Sequence, residues 1–246
     1  MTFSPDEVER YARHLVLSEL GGPGQQRLKA ATVAIIGAGG VGSPAALYLA
    51  AAGVGTIRLI DADTVSLSNL QRQVLFDTVD VARAKVEAAT GRLEGINPHV
   101  RIEPVLQALD PENAAALIAG ADVVLDGTDD FGVRRATNAA CVAAGVPLVS
   151  GALGRWSGQV GVFTGRPCYQ CLVPEIPPDA ETCARVGVVG ALAGVIGAMA
   201  ALEAIKLITR SGEPLTGRLM LYDGLRATSR VVGVAADPTC PVCSGG

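Results

Sequence analysis

Two pairs of cysteines have the spacing of metal ligands. Cys168 and Cys171 form one C-x-x-C pair, and Cys240 and Cys243 form a second. Two thiolates at this spacing grip one ion, and two pairs complete the closed tetrahedral set of a structural zinc site. The sequence therefore predicts a zinc that clips the second pair onto the body of the domain. Redox dithiols and disulfides are the alternative interpretations, which a reducing compartment disfavours.

The glycine-rich segment Gly37–Gly42 has the spacing of a phosphate-binding loop. Its G-x-G-x-x-G pattern follows the apolar run 33–36 and precedes a helix predicted over 42–52. The glycines permit a tight turn and close approach of the backbone to phosphate, and the helix N-terminus attracts an anion. The candidate nucleotide-binding residues in the loop are Gly37, Gly39, Gly40 and Gly42. The pattern alone does not identify the nucleotide.

The second predicted strand covers 56–61, and the segment that follows it is unusually polar. Asp61 ends this strand at the spacing of a carboxylate that binds ribose. Within a few residues the chain then gathers further polar groups, which are Asp63, Ser68, Asn69, Gln71, Arg72 and Gln73. This density of donors suits a longer phosphate chain than a dinucleotide carries.

The sequence DADTVSLSNLQRQ, residues 61–73, resembles the nucleotide segment of the ThiF/MoeB family, the prokaryotic relatives of ubiquitin-activating enzymes. The similarity extends from about Arg10 to Cys243. It implies a single ThiF-type adenylation domain over 1–246, with a helical arm (1–30), a nucleotide-binding half (31–150) and a carrier-binding half with the zinc site (151–246). Members of this family adenylate the C-terminal glycine of small ubiquitin-like sulfur carriers.

The resemblance also implies roles for individual residues. Arg13 would reach the ATP phosphates of the neighbouring subunit, which requires a homodimer. Lys85 would contact the phosphates, Asp129 would hold Mg²⁺, and the four cysteines would hold zinc. Cys183 matches a cysteine that some relatives link covalently to the carrier. The remaining nucleotide contacts implied are Asp61, Asp63, Ser68, Asn69, Leu70, Gln71, Arg72 and Asp130, the last of which is commonly asparagine in relatives.

Purely structural interpretations compete with the roles of three charged residues. Arg13 would share a solvated helix face with Arg10, since residues three apart are neighbours on a helix. Lys85 would lie on the surface of a helix predicted over 80–90. Asp129 would cap the helix that begins near Phe131.

The two remaining cysteines lie in different settings. Cys141 falls in an apolar helical segment, so we expect a small buried side chain. Cys183 falls in a polar segment with Arg185, whose positive charge favours a thiolate.

The order of the predicted elements defines an α/β fold. Buried strands alternate with helices, which indicates a Rossmann-like doubly wound, mainly parallel sheet. Segment 158–164 alternates as an exposed antiparallel strand does, so the sheet should continue into antiparallel strands. The further predicted strands cover 100–104, 121–126 and 147–151, a further helix covers 111–118, and Gly21–Gly24 is predicted to be a flexible turn.

The composition favours a compact globular chain. Of its 246 residues, 49% are hydrophobic and 18% are charged, and the formal charge is −4. No basic run indicates nucleic acid. The first residues lack an apolar targeting core, so we expect a cytoplasmic protein. The uncharged segment 186–202 only reaches the lower bound for a membrane span, so we expect a buried helix.

Carrier adenylation is the function that these observations favour. Its substrates would be ATP with Mg²⁺ and a carrier ending in Gly-Gly. Because the sequence has no appended rhodanese-like domain, we expect a separate sulfur donor such as a cysteine desulfurase or rhodanese. A nicotinamide-dependent oxidoreductase and a non-catalytic scaffold are the alternatives. The sequence does not distinguish among molybdopterin, thiamine and thiolation pathways.

Overall fold

The fold was analysed in a computed structural model, which describes residues 2–176 and 187–244. Cys183 and Arg185 lie outside the described residues, so the expectations for them stay predictions.

One mixed sheet of eight strands runs through the described part of the chain, in the order β3-β2-β1-β4-β5-β6-β7-β8. The first five strands in this order are parallel, and the pairs from β5 to β8 are antiparallel. The predicted fold class is therefore confirmed. The strands are β1 (Thr32–Ile36), β2 (Thr56–Ile60), β3 (Arg101–Val105), β4 (Val123–Asp126), β5 (Leu148–Gly154), β6 (Ser157–Phe163), β7 (Arg218–Asp223) and β8 (Thr228–Gly233).

Helices cover both faces of the parallel part of the sheet. The described helices are α1 (Pro5–Arg10), α2 (Ala12–Leu15), α3 (Gly21–Ala30), α4 (Gly42–Ala52), α5 (Lys85–Ile96), α6 (Ala114–Ile118), α7 (Phe131–Ala144), α8 (Tyr169–Leu172) and α9 (Gly190–Thr209). On β1, Val33 and Ile35 pack into the core shared with α4, α5 and α9. Ala34 and Ile36 pack into the core shared with α6 and α7. This two-sided burial explains why β1 is an uninterrupted apolar run.

The ends of the helices follow from local sequence. Ser4 and Glu7 form a capping box at α1. Gly53 (φ 82°) and Gly145 (φ 66°) end α4 and α7 in the left-handed conformation that glycine adopts without steric cost.

Helix α5 begins later than the sequence predicts. Asp80 ends a short 3₁₀ helix, Thr78–Asp80. Residues 81–84 are not helical, because Ala82 has a φ of 74° and its N–H donates to the carbonyl of Val65 (2.8 Å). Thr64 and Ala84 form an antiparallel bridge. The segment before Lys85 is therefore held against the polar segment, and the helix cannot start until Lys85.

One further local prediction is wrong, and one competing interpretation is excluded. Gly21–Gly24 is the first turn of α3 instead of a flexible turn. At α7 the capping residue is Asp130, whose carboxylate accepts from the N–H of Val133 (2.9 Å), so Asp129 is not the cap.

Helix α9 carries the uncharged segment. By length and hydropathy it would suffice to cross a membrane, but half of its apolar window is buried inside the fold. It packs against α3, α4, β5 and β6. The expectation of a buried helix is confirmed for the described residues 190–209.

Candidate nucleotide site and four-cysteine cluster

A cavity of about 440 Å³ opens at the carboxyl ends of β1, β2 and β4. Between β1 and β4 the order of the strands across the sheet changes direction. Ligands of doubly wound sheets bind at this position, because the loops after neighbouring strands diverge there. The residues that line it are Gly37, Gly39, Gly40, Val41, Asp61, Asp63, Thr64, Ser66, Asn69, Arg72, Gln73, Lys85, Gly127, Thr128, Asp129, Phe131, Arg134, Gly151, Ala152 and Leu153. We call this cavity the nucleotide pocket.

The glycine loop forms one wall of the nucleotide pocket. Gly37 has a φ of 87°, which a residue with a side chain rarely adopts. A Cβ on Gly42 would lie 1.8 Å from the carbonyl oxygen of Gly37, so only glycine permits helix α4 to start this close to the loop. Gly42 itself does not line the pocket, and its role is to allow this approach.

Asp61, Asp63 and Lys85 form a charged group beside the loop. Asp61 accepts from the N–H of Ala38 (2.8 Å) and of Asp63 (2.8 Å). The ammonium of Lys85 lies 2.7 Å from Asp63 Oδ2 and 3.6 Å from Asp61 Oδ2. Lys85 is only 5% exposed yet lines the pocket. The structure therefore excludes the interpretation of Lys85 as a solvated residue on the helix surface.

Part of the polar segment reaches the nucleotide pocket. Asn69 and Arg72 line it, and Arg72 also donates to the carbonyl of Ser68 (3.0 Å). Ser68, Leu70 and Gln71 do not line it. Ser68 pairs with the hydroxyl of Ser66, Leu70 packs on the core, and the Gln71 carbonyl lies against α9, where a Cβ on Gly190 would meet it at 2.0 Å.

The loop after β4 brings an unpaired carboxylate to the opposite wall. Asp129 is exposed, lines the pocket, and makes no hydrogen bond or ion pair with the described residues. Asp130 points away and caps α7. Mg²⁺ in phosphate sites uses one or two carboxylates together with substrate phosphates and water, so a single free carboxylate fits this ion.

Arg134 is a pocket residue that the sequence analysis missed. It is 4% exposed and donates to Ser150 Oγ (2.8 Å), to the carbonyl of Gly151 (2.7 Å) and to the carbonyl of Thr128. Its place in the first turn of α7, directly after the loop that carries Asp129, is the signal that would have indicated it.

Arg13 lies apart from the nucleotide pocket. It is exposed on α2 and is not among the described residues that line the cavity. Within one subunit the structure therefore does not bring Arg13 together with Arg72 and Lys85.

A second and larger cavity, of about 700 Å³, adjoins the nucleotide pocket. It lies along the antiparallel strands, and both cavities are lined by Ala152 and Leu153 at the end of β5. Its other described lining residues come from β5, β6, β7, β8 and the turn between β7 and β8, and they include Tyr222, Arg226 and Arg230. We call this cavity the sheet groove.

The two cysteine pairs converge on one point. Their four sulfurs all lie within 4.8 Å of one another. Cys168 Sγ is 3.7 Å from Cys240 Sγ, and Cys171 Sγ is 3.4 Å from Cys243 Sγ. Zinc with Zn–S bonds of about 2.3 Å would hold its sulfurs about 3.8 Å apart, whereas a disulfide requires about 2.05 Å. The four-cysteine cluster therefore fits zinc, and the disulfide interpretation is wrong for this structure.

Burial and hydrogen bonds act in opposite directions on the thiol pKa values of the buried cysteines, and burial together with the neighbouring cysteines raises the pKa of Cys243 to about 12. Burial alone would raise the pKa of Cys240, but hydrogen bonds from the N–H groups of Val242 and Cys243 help lower it to about 7. By contrast, burial and the Asp126 carboxylate raise the pKa of Cys141 to about 12, which confirms it as a buried neutral side chain.

The chain belongs to the ThiF family, whose model matches residues 11–242. It is 47% identical to the molybdopterin-synthase adenylyltransferase of Escherichia coli over 98% of both chains. It is 43% identical to the sulfur carrier protein adenylyltransferase of Thermus thermophilus, over 99% of this chain and 93% of that one. The crystal structure of E. coli MccB is similar with a TM-score of 0.85 and 25% identity, covering 100% of this chain and 74% of that chain. The family expected from residues 61–73 is thus confirmed.

Proposed function

We propose that this protein is an ATP-dependent adenylyltransferase that activates the C-terminal glycine of a ubiquitin-like sulfur carrier. The observation that carries the proposal is the nucleotide pocket, where a glycine loop, three cationic side chains and a free carboxylate face one cavity. Membership of a family whose named relatives are sulfur carrier adenylyltransferases supports it. The cavity size, about 440 Å³, is ordinary for a small-molecule site.

The chemistry demands positioning and charge neutralisation more than proton transfer. The carboxylate of the carrier attacks the α-phosphate of ATP, a carbon–oxygen–phosphorus link forms, and pyrophosphate leaves. Two anions must approach, so the glycine-loop N–H groups, Arg72 and Lys85 would offset their repulsion. Asp61 would accept from the ribose hydroxyls. No general base is needed, because a carboxylate is already ionised at neutral pH.

Asp129 would hold Mg²⁺ at the phosphates, where the ion supplies neutralisation of the developing pyrophosphate charge. The buried Arg134 would face the incoming carboxylate, since it lines the pocket beside Gly151, at the end that joins the sheet groove. Its three protein acceptors are neutral oxygens, so its positive charge remains available to an anionic ligand.

The sheet groove would receive the carrier. It leads into the nucleotide pocket through Ala152 and Leu153, so an extended C-terminal segment lying in it would present its terminal carboxylate to ATP. Arg226 and Arg230 line the groove and suit a carrier with acidic side chains at the contact. The activated glycine would then pass to a separate sulfur donor, such as a cysteine desulfurase or rhodanese.

The active form would be a cytoplasmic homodimer in which Arg13 of the partner subunit completes each pocket. Two features support this proposal. Arg13 is exposed and outside the pocket of its own subunit. Val16 and Leu17 are exposed close to Arg13 in the chain, and Tyr48 on α4 and Leu202 on α9 are exposed on two helices of the same core layer. A second copy of the chain would cover these apolar side chains.

The test is the intact mass of candidate Gly-Gly-ending sulfur carriers after incubation with this protein, ATP and Mg²⁺. One carrier should gain the mass of AMP, which also identifies the pathway. Asp129→Ala should lose the product, whereas Glu112→Gln, a change at an exposed carboxylate outside the pocket, should keep it. If no carrier gains mass, no pyrophosphate forms and the protein binds NADH but not ATP, an oxidoreductase replaces this proposal.

A further inference from the structure

The four-cysteine cluster and the nucleotide pocket are joined by a continuous chain of buried side chains. The link begins at Asn138 on α7, which is fully buried. Its Nδ2 donates to Cys168 Sγ (3.5 Å), and its Oδ1 accepts from the N–H of Tyr169 (2.8 Å). One amide thus fixes both a ligand sulfur and the first residue of α8.

Tyr169 continues the link toward the pocket. Its side chain is buried, and the guanidinium carbon of Arg134 lies 5.8 Å from the centre of its ring. Phe163 packs against the same ring edge-on at 5.8 Å, which fixes the orientation of the ring. The attraction between a cation and an aromatic face contributes more stabilising free energy in a desolvated setting than at the surface. Arg134 and Asn138 are four residues apart and therefore neighbours on α7.

Arg134 transmits this arrangement to two walls of the pocket. It donates to the carbonyl of Thr128, the residue before Asp129, and to Ser150 and Gly151 in the middle of β5. A buried guanidinium whose hydrogen-bond acceptors are all neutral relies on its fixed surroundings to stay in place. Loosening Tyr169 would therefore release Arg134 and with it the loop that carries Asp129.

We propose that Asn138 and Tyr169 are positioning residues through which a metal in the four-cysteine cluster holds Arg134 and the Thr128–Asp129 wall, so that metal binding and nucleotide binding favour each other. The identity of the nucleotide as ATP rests on the proposed function. Coupling between two sites is reciprocal, so the factor by which metal tightens ATP binding equals the factor by which ATP tightens metal binding.

The test measures the dissociation constant of a non-hydrolysable ATP analogue with Mg²⁺ by calorimetry, using zinc-loaded and metal-stripped protein. We expect binding about 5- to 10-fold weaker without zinc, at the lower end of typical coupling factors. Zinc affinity, measured by chelator competition with and without the analogue, should change by the same factor. Circular dichroism verifies that the stripped protein is folded.

Variants at the link separate coupling from general loss of structure. Zinc-loaded Tyr169→Leu should bind the analogue several-fold more weakly, whereas Tyr169→Phe, which keeps the ring and loses only the hydroxyl that interacts with Arg134, should bind more tightly than Tyr169→Leu. Asn138→Ala should reduce the coupling factor toward one. Val142→Ala is the matched control, since Val142 packs against the cluster outside the link, and it should lower zinc affinity without changing the coupling factor.

Two outcomes overturn the inference in distinguishable ways. Equal analogue binding with and without zinc, or unchanged binding and coupling in zinc-loaded Tyr169→Leu, removes the coupling and leaves the proposed function intact. If metal-stripped protein is unfolded, the zinc-loaded variants decide alone. Failure of the zinc-loaded wild type to bind any ATP analogue removes the proposed function and the coupling together.

Discussion

Replacement of Ala82 with glycine is expected to stabilise the protein. Ala82 has a φ of 74°, in the left-handed region where a Cβ crowds the following carbonyl. The conformation is required because the Ala82 N–H donates to Val65 (2.8 Å) and the Lys85 N–H donates to the Asp63 carbonyl (3.0 Å), which together dock this segment beside the pocket. The methyl group is exposed, so its removal loses little packing.

The expected gain follows from two opposing contributions to the free energy of unfolding. A left-handed non-glycine residue costs about 1–2 kcal/mol in the folded state. Glycine also gives the unfolded chain more freedom, which costs about 0.4–1 kcal/mol. The net stabilisation is therefore about 0.8 kcal/mol at the middle of these two ranges. For a chain of this size, about 1 kcal/mol corresponds to about 2–4 °C in Tm.

Thermal unfolding followed by circular dichroism measures this change. Ala139→Gly is the control, because Ala139 is exposed within helix α7 and glycine there should lower stability by about 1 kcal/mol. ATP affinity should be the same in Ala82→Gly and wild type, because the backbone keeps its conformation. A Tm of Ala82→Gly equal to or below that of the wild type would refute the strain argument.

Three further predictions concern the glycine loop, the N-terminal helix and the metal. Gly42→Ala places a Cβ 1.8 Å from the Gly37 oxygen, so pyrophosphate release should fall about 100-fold, as for a 1 Å misplacement of reacting groups; wild-type rates would contradict the close approach. Burial would raise the pKa of Glu7, but Lys29 and the Ser4 N–H hold it below 4.5. The ionised Glu7 carboxylate therefore stabilises the folded state above pH 4.5, and this stabilisation is lost as the pH falls through the folded pKa. Glu7→Gln should accordingly be less stable than the wild type at pH 7 and equal to it in acid. Chelation of zinc should lower the Tm, and added zinc should restore it; an unchanged Tm would contradict a structural metal.

The sequence allowed the central part of the fold to be predicted because its signals are local. The glycine loop follows a strand buried on both faces, and the run 33–36 shows this directly as uninterrupted apolar residues. The cysteine pairs were equally direct, since C-x-x-C spacing determines ligand geometry without reference to the rest of the chain. The glycine-loop prediction required no knowledge of how distant segments meet, and the cysteine prediction required only that the two pairs share one ion.

The features that were missed depend on contacts between distant segments. Residues 80–84 have helical composition, but pairing with Thr64 and Val65 overrides it. Arg134 acquires its place from Ser150 and Gly151 on a strand that follows α7 in the chain. Asp129 and Asp130 are adjacent candidates for the cap of α7. Sequence patterns do not locate helix boundaries to within one residue, so they could not distinguish the two.

The position of the second cysteine pair has a consequence for the synthesis of the protein. Cys240 and Cys243 follow β8 in the chain, whereas Cys168 and Cys171 precede α9. A ribosome therefore delivers all eight strands of the sheet before the fourth sulfur becomes available. Until that moment the first pair can offer a metal only two thiolates. Closure of the cluster therefore waits until the eight described strands have been synthesised, and a metal bound by all four sulfurs indicates a chain in which these strands are all present.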